Sequence, residues 1–135
     1  MSAENKLIVQ KVYGVINANE LDGLDALIAT DLTDHNPTPG VAPGLAGTKQ
    51  TLSMYHAVFS DLRVTAEDII ADGDKVVVRL AVNGTNTGEF MGLPPTGKQV
   101  TMSGIEMFRL ADSKIVERWA EFDMMSLMQQ LGAMG

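Results

Sequence analysis

KIVERWAEFD (Lys114–Asp123) followed by MMSLMQQLG (Met124–Gly132) is the stretch that decides the fold. Its first half reads as a strand. Asp123 then stands ahead of Met124, Leu127, Met128 and Leu131 at helical spacing. That is the position of an N-cap, with Phe122 and Leu127 placed as a hydrophobic staple and Gly132 as the C′ residue. The stretch is therefore one strand, an acidic cap and a short amphipathic helix.

Further strands run upstream of it. Leu62–Ala71 and Lys75–Asn83 are strand-like and are joined through Asp72-Gly73, a hairpin-turn dipeptide. A Gly/Pro-rich link, Gly84–Gly97, leads into Val100–Leu110, and Ala111-Asp112-Ser113 turns the chain into the last strand. Ahead of these the period is helical. Ser2 is placed to cap a first helix with Ile8, Val12, Val15 and Ile16 on one face. Asp22 is placed to cap a shorter helix carrying Leu24, Leu27 and Ile28. Residues 34–47 hold three prolines and read as an irregular loop; Thr48 opens a third helix with Leu52, Tyr55 and Phe59 on one face. Helices first and four strands after predict α+β with an antiparallel sheet in a single domain, 1–135. Three helices suffice to cover one sheet face, and a curled sheet wrapped over them makes a cone. The other face still carries apolar residues, which predicts burial against a second subunit, a homodimer.

At 135 residues the chain can bury roughly two-thirds of its unfolded surface. With no cysteine it has no disulfide, thiolate ligand or cysteine nucleophile. A net charge of −7 argues against nucleic acid and against an anionic membrane surface. No apolar run approaches the roughly 20 residues of a membrane span, and no signal peptide is read at the N-terminus. A cytoplasmic protein is expected. His35 and His56 are the two histidines, too few for a zinc site, so no metal is expected.

Strand parity puts Met102, Gly104, Glu106 and Phe108 on one face, and Val116, Arg118, Ala120 and Phe122 on one face of the next strand. Glu106 and Arg118 then pair. Either they form a general base with its arginine or a solvated charge pair at the mouth of the cone. His35 falls in the loop over that mouth. Tyr13 and Asn36 are placed to hydrogen-bond a ligand carbonyl, although a tyrosine on a helix stripe is more often core. Asp123, the nearest carboxylate to Ala120, reads as the helix cap.

The order of these fragments resembles the SnoaL-like polyketide cyclases: Asp34-His35-Asn36-Pro37, Pro43-Gly44 with Gly47, Gly84-Thr85-Asn86-Thr87-Gly88, Gly92–Gly97, Lys114–Glu117 and Gln129–Gly132. The resemblance covers essentially the whole chain. It implies the nuclear-transport-factor-two-like cone, an α+β barrel whose curled antiparallel sheet has three helices over its concave face and a short C-terminal helix. It also implies a homodimer and cofactor-free aldol ring closure on a polyketide methyl ester. The aspartate that moves the proton in those cyclases falls on Ala120, and two of their histidines fall on Glu106 and Asn86. The resulting expectation is a pocket for an apolar, carbonyl-bearing small molecule. Glu106, Arg118 and His35 are its catalytic groups; Tyr13, Asn36, Asn86, Ala120 and Phe122 touch the ligand. Two alternatives stand beside it. One is an epoxide-hydrolase-like enzyme of the same fold, with a carboxylate–arginine–carboxylate cluster of which Glu106 and Arg118 are part. The other is a non-catalytic binding module.

Overall fold

A computed structural model describes residues 2–132. The N-terminal helix α1 (Ser2–Ala18) buries Ile8, Val9, Val12, Tyr13 and Ile16, the stripe predicted from spacing. Ser2 lies within α1 rather than at a cap ahead of it. A 3₁₀ helix (Leu21–Ala26) follows, with Glu20 at its cap position and Asp22 inside its first turn. The second helix expected over residues 22–28 is thus only this short 3₁₀ segment, because Leu27 caps its end and Ile28 enters the sheet.

Ile28 opens strand β1 (Ile28–Asp34), which the spacing Leu24, Leu27, Ile28 had disguised as helix. Its buried positions are Ile28 and Leu32. Helix α2 (Gly44–Val58) starts four residues ahead of Thr48 and ends before Phe59, whose backbone is already extended. At its start Gly44 has φ +71° and lies against the Thr30 carbonyl, so a side chain there would meet both strain and backbone.

The remaining strands are β2 (Arg63–Asp72), β3 (Lys75–Thr85), β4 (Gln99–Ala111) and β5 (Lys114–Phe122). They form a curled, unclosed sheet with the order β1-β5-β4-β3-β2. All neighbours are antiparallel except β1, which runs parallel to β5 with Asp34 opposite Arg118. The turn at Asp112-Ser113, with both residues at positive φ, sets the β4–β5 register so that Glu106 faces Ala120 and Gly104 faces Phe122. A bulge breaks that register lower down: Arg109 pairs with Glu117 but Leu110 with Ile115, leaving Val116 as the extra residue. Parity from Arg118 therefore does not extend to Val116; the fully buried residue is Ile115.

The core lies between the concave sheet face (Val76, Val78, Leu80, Phe108, Ile115) and the helices. Each fully buried aliphatic side chain there contributes about 1.5–3 kcal/mol. Helix α3 (Met124–Gln130) closes one end. Asp123 Oδ1 accepts from Ser126 N–H at 3.0 Å, and Gly132 follows the helix at φ +80°. The Gln130 amide exchanges hydrogen bonds with the Thr101 backbone at 2.9 and 2.7 Å, fastening α3 to β4.

Candidate active site

The cap, the bulge and the register converge on a cavity of about 420 Å³ between the concave sheet face, α1 and α2. That volume is in the range of small-molecule sites. Most of its wall is apolar, and one polar network crosses it.

Glu106 projects from the middle of β4 and is buried, at 7% exposure. Tyr13 on α1 donates its hydroxyl to Glu106 Oε1 at 2.7 Å. Arg118 on β5 donates Nε to Glu106 Oε2 at 2.8 Å, so both carboxylate oxygens are fixed from different elements. The Nη1 group of Arg118 reaches Asp34 at the end of β1, 3.0 Å from each oxygen. Asp34 Oδ1 also accepts the Asn36 N–H at 2.9 Å, and Asn36 Oδ1 accepts the Ala120 N–H at 2.8 Å. One guanidinium thus spans two carboxylates, and the chain after β1 is tied back onto β5.

Burial pushes the Tyr13 hydroxyl well above its ordinary pKa, and the neighbouring Glu106 charge and hydrogen bond push it the same way. Tyr13 is therefore a neutral donor. Burial acts to lower the Arg118 pKa, but Glu106 and Asp34 together hold it above its ordinary value, so it stays charged. A buried cluster of this kind adds little net stability compared with an apolar replacement. It does hold a carboxylate in one orientation at the wall of a cavity.

The site residues expected from sequence divide into two groups. Tyr13, Glu106, Arg118, Asn36, Ala120 and Phe122 all line the cavity. The ring of Phe122 packs against Gly104, in space that a Cβ there would occupy. His35 and Asn86 do not line it. His35 points to the opposite side of the sheet: its ring stacks on Trp119 at 4.7 Å and its Nε2 meets Glu117 at 2.8 Å. The reason is alternation, since Asp34 and Asn36 turn inward on either side of it. Asn86 is a buried clamp within the 86–98 loop. Its side chain accepts from the Thr96 N–H and hydroxyl, each at 2.9 Å, and donates to the Gly88 carbonyl at 2.8 Å.

Asp34 and Tyr55 line the cavity too and were not singled out. Asp34 belongs to the quoted Asp34–Pro37 motif, in a stretch whose prolines signal a loop, and Tyr55 shares a helical stripe with Leu52, the pattern of a core residue. Among the described residues, no group of three or more histidine or carboxylate side chains is gathered to hold a metal ion. Nor is any helix there long and apolar enough to cross a membrane.

A family profile described as SnoaL-like polyketide cyclase matches residues 6–131. The chain belongs to that family. A nogalonic acid methyl ester cyclase from Streptomyces nogalater is 27% identical over 127 residues, which is 90% of this chain and 92% of the relative. Among solved structures, TsrD from Streptomyces laurentii superimposes with a TM-score of 0.89 at 26% identity, covering 97% of this chain and 96% of its own. IdmH from Streptomyces antibioticus is 35% identical with a TM-score of 0.85, covering 95% and 98%. The nuclear-transport-factor-two-like α+β cone is thus the fold of this SnoaL-like chain.

Proposed function

We propose that this SnoaL-like protein carries out cofactor-free acid/base ring closure on an apolar, carbonyl-bearing small molecule, with Glu106 as the carboxylate that removes and returns the proton. The observation that carries this reading is the buried Glu106 itself. Its two oxygens are held by Tyr13 and Arg118 at the wall of a mostly apolar cavity. A carboxylate so fixed, and reachable by a carbon acid, meets the geometric demand on a general base. Ala120, directly across the strand pair, leaves open the space where the family resemblance puts an aspartate. Glu106 supplies the carboxylate from the neighbouring strand instead.

The test is aldol cyclisation of an aromatic polyketide methyl ester by the parent and by Glu106→Gln. Activity in the parent and a loss of at least about a hundredfold in the variant is the expected result. Equal activity contradicts the assignment.

One observation favours a second reading. Asp34, Arg118 and Glu106 form the carboxylate–arginine–carboxylate cluster that water-activating epoxide hydrolases of this fold employ. Labelled solvent oxygen entering the product would indicate hydrolysis; cyclisation leaves it in the water.

The proposed assembly is a homodimer through the convex sheet face, where Ile70 and Ile105 are 66% and 52% exposed. Light scattering at micromolar concentration tests it, and a strict monomer contradicts it. The proposed compartment is the cytoplasm, in keeping with a chain that needs no disulfide. Cell fractionation checks this.

A further inference from the structure

We propose that the Tyr55 hydroxyl and Arg118 Nη2 form an oxygen-binding pair that takes the ligand's carbonyl oxygen and the enolate oxygen made from it. The inference rests on the reading of Glu106 as base and assigns the other half of the reaction. A base that removes a proton beside a carbonyl leaves charge on the carbonyl oxygen. The largest benefit comes from donors already aimed at that oxygen.

Among the cavity donors that have no hydrogen-bond partner within the described residues, two lie within electrostatic reach of each other. Arg118 uses Nε for Glu106 and Nη1 for Asp34; its Nη2 has no hydrogen-bond partner among the described residues. Arg118 lines the cavity, with its side chain 19% exposed. The Tyr55 hydroxyl likewise has no hydrogen-bond partner among the described residues, and Tyr55 lines the same cavity from α2. The chain has two tyrosines, and the contrast between them is informative. Tyr13 commits its hydroxyl to Glu106, whereas that of Tyr55 is left for whatever enters.

The ring of Tyr55 is held in place. It stacks on Phe59 at 6.4 Å between ring centres and tilts against Phe90 at 6.1 Å. A donor on a fixed ring costs no reorganisation when charge develops. Burial raises the Tyr55 pKa, and the nearby Arg118 charge opposes that rise. Tyr55 therefore remains a protonated donor within the field of the guanidinium. When an apolar ligand displaces water from the cavity, both donors lose their solvent partners unless the ligand supplies an acceptor. The pair thus selects a ketone or ester over a hydrocarbon of the same shape.

The step balances. Glu106 takes the proton from the carbon next to the carbonyl and becomes the carboxylic acid. The C–H electron pair becomes the C=C bond, and the carbonyl π pair moves to the oxygen, which Tyr55 and Arg118 hold. The enolate carbon then attacks a second carbonyl, forming the C–C bond. The resulting alkoxide takes the proton back from Glu106.

The experiment uses β-tetralone carrying an isotope-labelled carbonyl carbon, bound to the parent and to Tyr55→Phe and read by infrared difference spectroscopy. Tyr55→Phe keeps the ring packing and removes a hydroxyl with no internal partner, so the fold is retained. The carbonyl stretch in the parent is expected to lie below its value in an apolar solvent. In Tyr55→Phe it moves back toward that value, and affinity falls about tenfold. A stretch unchanged by Tyr55→Phe overturns the pair. A Tyr55-dependent stretch without proton exchange into β-tetralone strikes the base reading of Glu106 and spares the pair. Exchange with a Tyr55-independent stretch does the reverse. No binding of β-tetralone overturns both.

Discussion

Ala120→Asp puts a carboxylate where the family resemblance expects one, and the structure says what that costs. Ala120 is 7% exposed, lines the cavity and faces Glu106 across the β4–β5 pair. Directly opposed side chains have Cβ atoms about 5 Å apart. At an effective dielectric near 20, two like charges at that spacing repel by about 3 kcal/mol. Arg118, two residues along the same strand face, attracts the new charge by about 2 kcal/mol at roughly 7 Å. Its guanidinium is already shared between Glu106 and Asp34, however, and Asp34 adds repulsion of its own. With about 1–3 kcal/mol for desolvation, the net loss is about 2–4 kcal/mol. A domain with about 5–15 kcal/mol to spare still folds.

The loss is tied to ionisation of the new carboxyl, whose pKa is raised in the folded state. Below the unfolded-state value of about 4 the group is neutral in both states, and this charge penalty is absent. As pH rises through the elevated folded value, the penalty grows to its full size. Urea denaturation of parent and variant at matched pH values, from roughly 4 to 8, measures the gap. A gap that is flat, or that widens toward acid, refutes the charge layout drawn for this cavity. An unfolded variant refutes the claim that a cavity exists at position 120. Folded Ala120→Asp is also expected to raise cyclisation of a polyketide methyl ester above the parent.

Asp123→Ala should lose about 0.5–2 kcal/mol in urea denaturation, and Asp123→Asn almost nothing, because the role is to accept the Ser126 N–H. If Asp123→Asn instead abolishes activity at full stability, Asp123 does more than cap the helix. Gly104→Ala drives a methyl group into the ring of Phe122. It should cost about 1–3 kcal/mol and weaken β-tetralone binding in calorimetry, whereas unchanged affinity would mean that Phe122 does not shape the cavity. Asp61 accepts from the Thr85 N–H at 2.6 Å and from its hydroxyl at 2.9 Å, which hold its pKa below the usual carboxylate value. That stabilisation is present above the unfolded value of about 4 and is lost as pH falls through the lower folded value. Thr85→Val, which removes one donor, should flatten the acid limb of the stability curve, and an unchanged limb would contradict the assignment.

What could be read from the chain followed from local pattern. The hairpins at Asp72-Gly73 and Asp112-Ser113 join neighbours in sequence, so alternation and turn chemistry were enough to pair Glu106 with Ala120. The cap at Asp123 is local as well. Strand β1 was missed because Ile28 completes a helical spacing, and its partner β5 lies more than eighty residues on in a parallel pairing that no turn announces. Asp34 was lost with it, since an aspartate at the end of an unread strand has no visible route to Arg118. Val116 misled for a related reason: a bulge shifts register by one residue without changing the alternating pattern around it. Tyr55 sits on a helical stripe with Leu52 and was indistinguishable from core until its hydroxyl was seen to lack a partner. His35 follows directly on β1, so the alternation that turns its ring onto Trp119 rather than over the cavity mouth is invisible while that strand is unrecognised.

Central to all of this is that Glu106 moves a proton on carbon. Nuclear magnetic resonance of β-tetralone in deuterated buffer reads that step without the natural substrate, by following loss of the protons beside its carbonyl. The parent is expected to speed exchange above the buffer rate, and Glu106→Gln, still folded and still binding β-tetralone, to slow it by about 10²–10⁴-fold relative to the parent. Exchange at the same rate in parent and Glu106→Gln would contradict the claim.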